Sequence, residues 1–342
     1  FGVGMAVAIL NSNVEASTGA GSVLSAEGNI DIEAFTGAPL LTGSDLSESD
    51  QLINDYLNDQ SEGFDISDLT IHALSFSAGV SGTAGVGVAV AVVSLGSKAI
   101  ASLGGSVEQA KELNIRATNQ YENIVAATLS LGGAMVGVSA SAAAVVYEGH
   151  TKAAIEGSGS IKDVSSISLE TLTRNTATAA AAGLAAGAGA VNAGVGVVLN
   201  ESLTETFISQ GVSIVKLNKP AADISLKSTV NTDADVFTVG AAGGAVAVGA
   251  SVALIQLSPT VRTYIGAVPG TAAANDGNKG DIQANNISIY NDIDSTAKSY
   301  AANVSGGAIA LGGQVLLVFN RSDAYAGINR MNIAQAGDIV MD

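Results

Sequence analysis

The chain has 342 residues, 47% of them apolar and only 13% charged, with 41 glycines, four prolines and neither Cys nor Trp. A disulfide scaffold and a thiolate metal site are therefore excluded, a mean hydropathy of +0.39 argues against disorder, and the scarcity of proline excludes collagen. Lys and Arg total 14 against 31 Asp and Glu, a net charge of −17, which disfavours a phosphate backbone as partner and leaves no nucleic acid among the expected ligands.

In chain order, the first element is a Gly/Ala/Val run from Gly2 to Asn11 that closes on a polar residue (segment a). No basic region precedes it, so it does not read as a signal peptide. Next comes Ile30-Asp31-Ile32-Glu33-Ala34, strictly alternating (segment b). An insertion at 35–71 follows, with Asp45, Glu48, Asp50, Asp55, Asp59, Glu62, Asp65 and Asp68 and no Lys or Arg. There Leu52, Ile53, Tyr56 and Leu57 have helical spacing, and a short helix is expected.

The pattern then repeats. Segment a returns at Gly85 to Ser94, Met135 to Tyr147, Val191 to Asn200, Ala245 to Gln256 and Ala308 to Asn320. Segment b returns at Leu113-Asn114-Ile115-Arg116-Ala117, Ile167-Ser168-Leu169-Glu170-Thr171, Ile224-Ser225-Leu226-Lys227-Ser228 and Ile287-Ser288-Ile289-Tyr290-Asn291. Ile339-Val340-Met341 begins a sixth copy, so the chain reads as cut from something longer. The b spacings are 83, 54, 57, 63 and 52 residues. A third segment, c, precedes each a and often closes on Gly-Gly-Ala, as at Gly132-Gly133-Ala134, Gly243-Gly244-Ala245 and Gly306-Gly307-Ala308. A second insertion, 268–286, has the Gly and Pro content of a flexible loop.

These segments read as strands. Segment b has a period of two, and each Gly of segment a would cost about 1 kcal/mol in a helix. Residues 123–147, 175–200, 236–261 and 299–320 carry no charge, and strands without charge on either face are expected to be buried on both. Residues 1–342 therefore read as a single repeat array, all-β, whose units of about 55 residues stack as a β-solenoid (β-helix) so that neighbours cover each other's apolar faces. The outward b positions Glu33, Arg116, Glu170 and Lys227 alternate in sign, as stacked strands favour. The alternative is an antiparallel meander of Gly-Gly hairpins.

With these segments in hand, the chain resembles the repeat regions of large bacterial surface exoproteins: filamentous-haemagglutinin-like adhesins, autotransporter passenger domains and leukotoxin-like exoproteins. The resemblance implies a β-helical fold, an extracellular location (secreted or on the bacterial cell surface) and a role in adhesion or in fibres.

Candidate sites are few. His72, in a strand context, and His150, in a turn context, have no nucleophile motif beside them, and both read as structural. Asp163, Glu170, Asp233 and Asp235 are conceivable as paired carboxylates for glycoside hydrolysis but read as solvated loop carboxylates. No catalytic residue is expected and the chain does not read as an enzyme. Calcium is the one cofactor left open, with hard oxygen ligands offered by Asp45, Glu48, Asp50, Asp276 and Asp281. Thr171, Thr173, Thr176 and Thr178 alternate, but Thr is missing from the equivalent repeats, so an ice-binding ladder is rejected. The expected function is a rigid β rod, a structural or adhesive segment whose loops bind host or neighbouring-cell surface molecules. Alternatives are a self-assembling fibre subunit that pairs with itself through strand edges, and a membrane-inserting toxin or pore segment. A membrane is disfavoured because aromatic girdles are missing from the strand pattern.

Overall fold

The computed structural model describes residues 1–37, 71–217, 221–270 and 279–342. Its regular elements there are all strands: β1 (Gly2–Thr18), β2 (Val23–Ser25), β3 (Ile30–Gly37), β4 (Ile71–Val80), β5 (Ala84–Leu103), β6 (Ser106–Gly133), β7 (Val136–Ile155), β8 (Ser160–Lys162) and β9 (Val164–Ala186). There follow β10 (Gly189–Ser209), β11 (Ser213–Val215), β12 (Ala222–Gly243), β13 (Val246–Gly266), β14 (Asp281–Gly306), β15 (Ile309–Asn320), β16 (Asp323–Asn329), β17 (Asn332–Gln335) and β18 (Ile339–Met341). The helix expected inside 35–71 falls outside the described residues apart from the strand residues at its two ends. The loop expected at 268–286 ends early, because β14 already begins at Asp281.

Every ladder is parallel. Strands β1, β5, β7, β10, β13 and β15 lie side by side in that order as an open sheet, with β16 continuing along β13. In the second system β6, β9, β12 and β14 are neighbours, and β11 pairs with both β8 and β14. Since β8 also pairs with β6, the circuit closes on itself as a six-stranded parallel barrel.

This corrects the expected fold class. The antiparallel meander fails because the strands flanking each Gly-Gly turn do not pair with each other: β6 and β7 belong to different sheets. The stacked β-solenoid fails because closure through Ile214 and Ile282 makes a barrel beside an open parallel sheet. Register is nonetheless strict along the b segments. Glu33 lies beside Arg116, Arg116 beside Glu170, Glu170 beside Lys227 and Lys227 beside Tyr290. The Arg116 guanidinium reaches Glu170 at 3.2 Å and Glu33 at 3.6 Å.

The interior between the two layers changes character along the strands. At one end, the base, it is aliphatic: Ile115, Ile155, Ile167, Ile208, Leu226 and Ile265 form one buried cluster. A hydrogen-bonded polar band follows. Thr173 Oγ1 lies 2.7 Å from that of Thr151 and 2.8 Å from that of Thr204, and Ser228 donates to Thr206 at 2.8 Å and sits 2.6 Å from Thr263. Beyond the band lies a second cluster of smaller residues, including Ala91, Ala126, Val145, Ala179 and Val236. Nearest the Gly-Gly turns the layers meet backbone to backbone: a Cβ on Gly132 would lie 2.1 Å from the Val138 carbonyl oxygen, an approach that only Gly permits.

Two further expectations are corrected by this packing. Charge-free strands a and c are not buried on both faces. Their Gly, Ala and Ser side points inward, and Val86, Val88, Val90 and Val92 point outward, half-buried. Thr171 and Thr173 face inward in the polar band, whereas Thr176 and Thr178 face outward, so these four threonines do not share a surface.

Candidate functional site

Past the uncharged stretch of the open sheet, alternation sends polar residues outward. Strand β7 presents Glu148, His150 and Lys152, β10 presents Glu201, Leu203 and Glu205, and β13 presents Ser258, Thr260 and Arg262. Parallel register aligns them into rows. Lys152, Glu205 and Arg262 form one row, and Lys98, His150, Leu203 and Thr260 form the next. Lys98, Glu148, His150, Glu201, Thr260 and Arg262 line an open depression of about 750 Å³, and Glu205 and Lys152 lie beside it in the Arg262 row. His150 lies inside β7, not in a turn as its sequence context suggested.

Glu205 is the hub. Its carboxylate is 3.3 Å from His150 Nε2 and 3.6 Å from the Arg262 guanidinium, and its side chain is only 14% exposed. The hydrogen bond from His150 holds the Glu205 carboxyl below the ordinary carboxylate range; burial opposes this, and the charges of His150, Arg262 and Lys152 assist it. Beneath the row, Phe207 and Tyr264 stack with ring centroids 5.0 Å apart. Burial pushes the Tyr264 hydroxyl up, and the Glu205 charge adds to the effect, so that ring stays a neutral phenol.

Chemically, this is a surface of fixed charges and hydroxyls suited to hydrogen-bonding a polar ligand. His150 is hydrogen-bonded to the Glu205 carboxylate, which also pairs with Arg262, so one carboxylate gathers both side chains.

The sequence-derived candidates do not converge. Asp45, Glu48, Asp50 and Asp276 lie outside the described residues. Asp281 opens β14 and accepts a hydrogen bond from Asn332, and among the described residues no three His, Asp or Glu side chains group closely enough to hold a metal ion. Glu170 is committed to Arg116, and Asp163 accepts from the Leu217 N–H at 3.1 Å. Asp233 and Asp235 share one face of β12, where burial pushes the Asp235 carboxyl up, opposed by Lys298. Glu205, Arg262 and Lys152 were missed. Their signal was the repeat itself: Glu205 follows Lys152 by 53 residues and Arg262 follows Glu205 by 57, and these are register partners.

No protein-family model matches the chain, and no curated protein or solved structure matches it either.

Proposed function

We propose that the chain is a structural and adhesive segment of a secreted or cell-surface protein, a stiff β body that displays the Lys98–His150–Glu201–Arg262 depression to a polar partner on another cell. The observation that carries this reading is the row-by-row registry. Each long strand is hydrogen-bonded along its length to its neighbours, so outward side chains are held in fixed lattices with little freedom to lose on binding. Adhesion of beads coated with the chain to cultured cells tests it. Capture should fall several-fold with the double variant His150→Ala/Arg262→Ala. Beads that do not adhere, or that adhere equally with both side chains removed, overturn the adhesive role.

A second reading, the self-assembling fibre subunit, is favoured by one feature: among the described residues the outer edges of β1 and β15 have no partner strand, and open edges template further pairing. Sedimentation distinguishes the two, because a mass independent of concentration excludes the fibre.

A further inference from the structure

We propose that the uncharged end of the molecule, the apex formed by segments c and a and their connecting turns, is a lipid-binding element that enters the hydrocarbon of a bilayer. This goes beyond the adhesive reading and rests on different residues. The apex carries its larger apolar side chains on the outside as well as within. Outward positions in central strands are apolar and solvent-accessible on both layers: Val191 and Val195 on the open sheet (42% and 38% exposed), Leu184 and Val239 on the other (38% and 42%). Inward positions include Ser77, Thr128, Ser130, Ser139, Asn192 and Ser251, all buried, with Asn192 donating to Ser139 at 2.7 Å. An apolar outer band over an interior where these polar groups are interspersed with buried Gly, Ala and Val puts the larger apolar side chains outward, as membrane β-structure does. No helix among the described residues is long and apolar enough to cross a membrane, a criterion that does not bear on strands.

Dimensions agree. The uncharged stretches run from 8 residues (Val236 to Gly243) to 16 residues (Val246 to Val261), or about 26–53 Å at roughly 3.3 Å per residue. That range brackets the ~30 Å hydrocarbon core. Charge returns nearer the turns on one layer, at Asp235 and Lys298, and about three residues lower on the open sheet, at Glu148 and Glu201, because Asn200 meets Asn175, the register partner of Thr232. Aromatic rings sit near both boundaries. Phe237 and Tyr300, each two residues beyond Asp235 and Lys298, stack 5.0 Å apart, and Arg321 lies over Phe319. Aromatic residues concentrate at membrane interfaces.

A second copy of the chain is the rival occupant. The two apolar faces point in opposite directions, so one isologous contact would cover only one of them, whereas lipid covers both. Open strand edges are not tolerated in hydrocarbon, so inserted copies must pair the edges of β1 and β15.

The chain has no Trp, which makes single-Trp probes clean. With zwitterionic phosphatidylcholine vesicles, Val195→Trp should shift its emission to the blue and be quenched by brominated lipid, while Lys227→Trp at the base stays unchanged. Val195→Glu should lower vesicle co-sedimentation by about 50-fold or more with its strand content and melting temperature retained. If that variant does not fold, Val239→Glu on the opposite layer serves instead. A Val195→Trp emission indifferent to vesicles overturns the proposal. So does a blue shift that needs no lipid and grows with protein concentration, which would assign the face to a second copy. Binding that requires anionic lipid and survives both Glu variants overturns it as well.

Discussion

The base and the apex are built from the same strands, yet they use their two faces in opposite ways. At the base, Ile and Leu point inward and charges point outward, the ordinary arrangement of a half-solvated sheet. At the apex, Gly, Ala and Ser point inward and Val points outward. The polar band of Thr151, Thr171, Thr173, Thr204 and Thr206 is where the change occurs. The difference shows that charge, not hydropathy, distinguishes the halves in the sequence, and that stability at the two ends has different sources. The base is held by buried aliphatic area. The apex is held by backbone ladders and close approach.

The comparison is broken most severely at the base. Ile167 is fully buried in the aliphatic cluster, and Ile167→Ala should cost about 4 kcal/mol through lost burial and a residual cavity. Denaturant unfolding should show it as a lowered midpoint with an unchanged slope. At the apex the damaging change has the opposite sense. Gly132→Val, which forces a side chain against the Val138 carbonyl, should cost about 3 kcal/mol by overpacking. The outward change Val90→Thr should cost little in solution. Equal tolerance of Gly132→Val and Val90→Thr would mean that the layers do not touch there.

The polar band sharpens the comparison from the middle. Thr173→Val leaves the buried hydroxyls of Thr151 and Thr204 short of a partner and should cost about 2 kcal/mol. The triple variant Thr151→Val/Thr173→Val/Thr204→Val removes the orphaned groups together, and should recover most of that loss in melting temperature. A triple variant worse than the single one would mean that the band is needed to keep the two cores in register.

Strand periodicity was legible because alternation, as over Ile30–Ala34, is a local property of each segment. Ladder closure was not. It depends on β8 and β11, three residues each, which are too short to show a period and are joined by residues distant in the chain. The inward choice of the a strands was half legible. In Gly85-Val86-Gly87-Val88 the small-residue side is the one that lets another layer approach closely, and that side is the buried one. The deciding fact, the backbone approach at Gly132 and Val138, is tertiary. Reading an uncharged strand as one buried on both faces treated the lack of charge as burial, and the exposed Val195 and Val239 show that the two differ. The Glu205 cluster was half legible. Its members Lys152, Glu205 and Arg262 fall on register partners with signs that alternate as they do in segment b.

Glu205 gives the smallest effect and the cleanest sign. Its folded pKa lies below the ordinary 4.5 because His150 donates to it and Arg262 and Lys152 lie near. A carboxylate with a depressed folded pKa adds stability at pH values above its unfolded pKa. That contribution is lost as pH falls from there through the folded pKa, because the unfolded chain then binds the proton more readily. Glu205→Gln keeps the shape and removes the charge. At neutral pH it should cost about 1 kcal/mol, because the pairs are partly exposed. Between pH 6 and pH 3 the wild-type melting temperature should fall more steeply than that of the variant, and the two curves should converge in acid. His150→Ala should flatten the same limb, since it removes the largest cause of the shift. Parallel curves over the whole range would show that the row is solvated and that Glu205 is not its hub. The charges that matter energetically are thus those the open sheet half-buries just below the polar-to-apolar boundary.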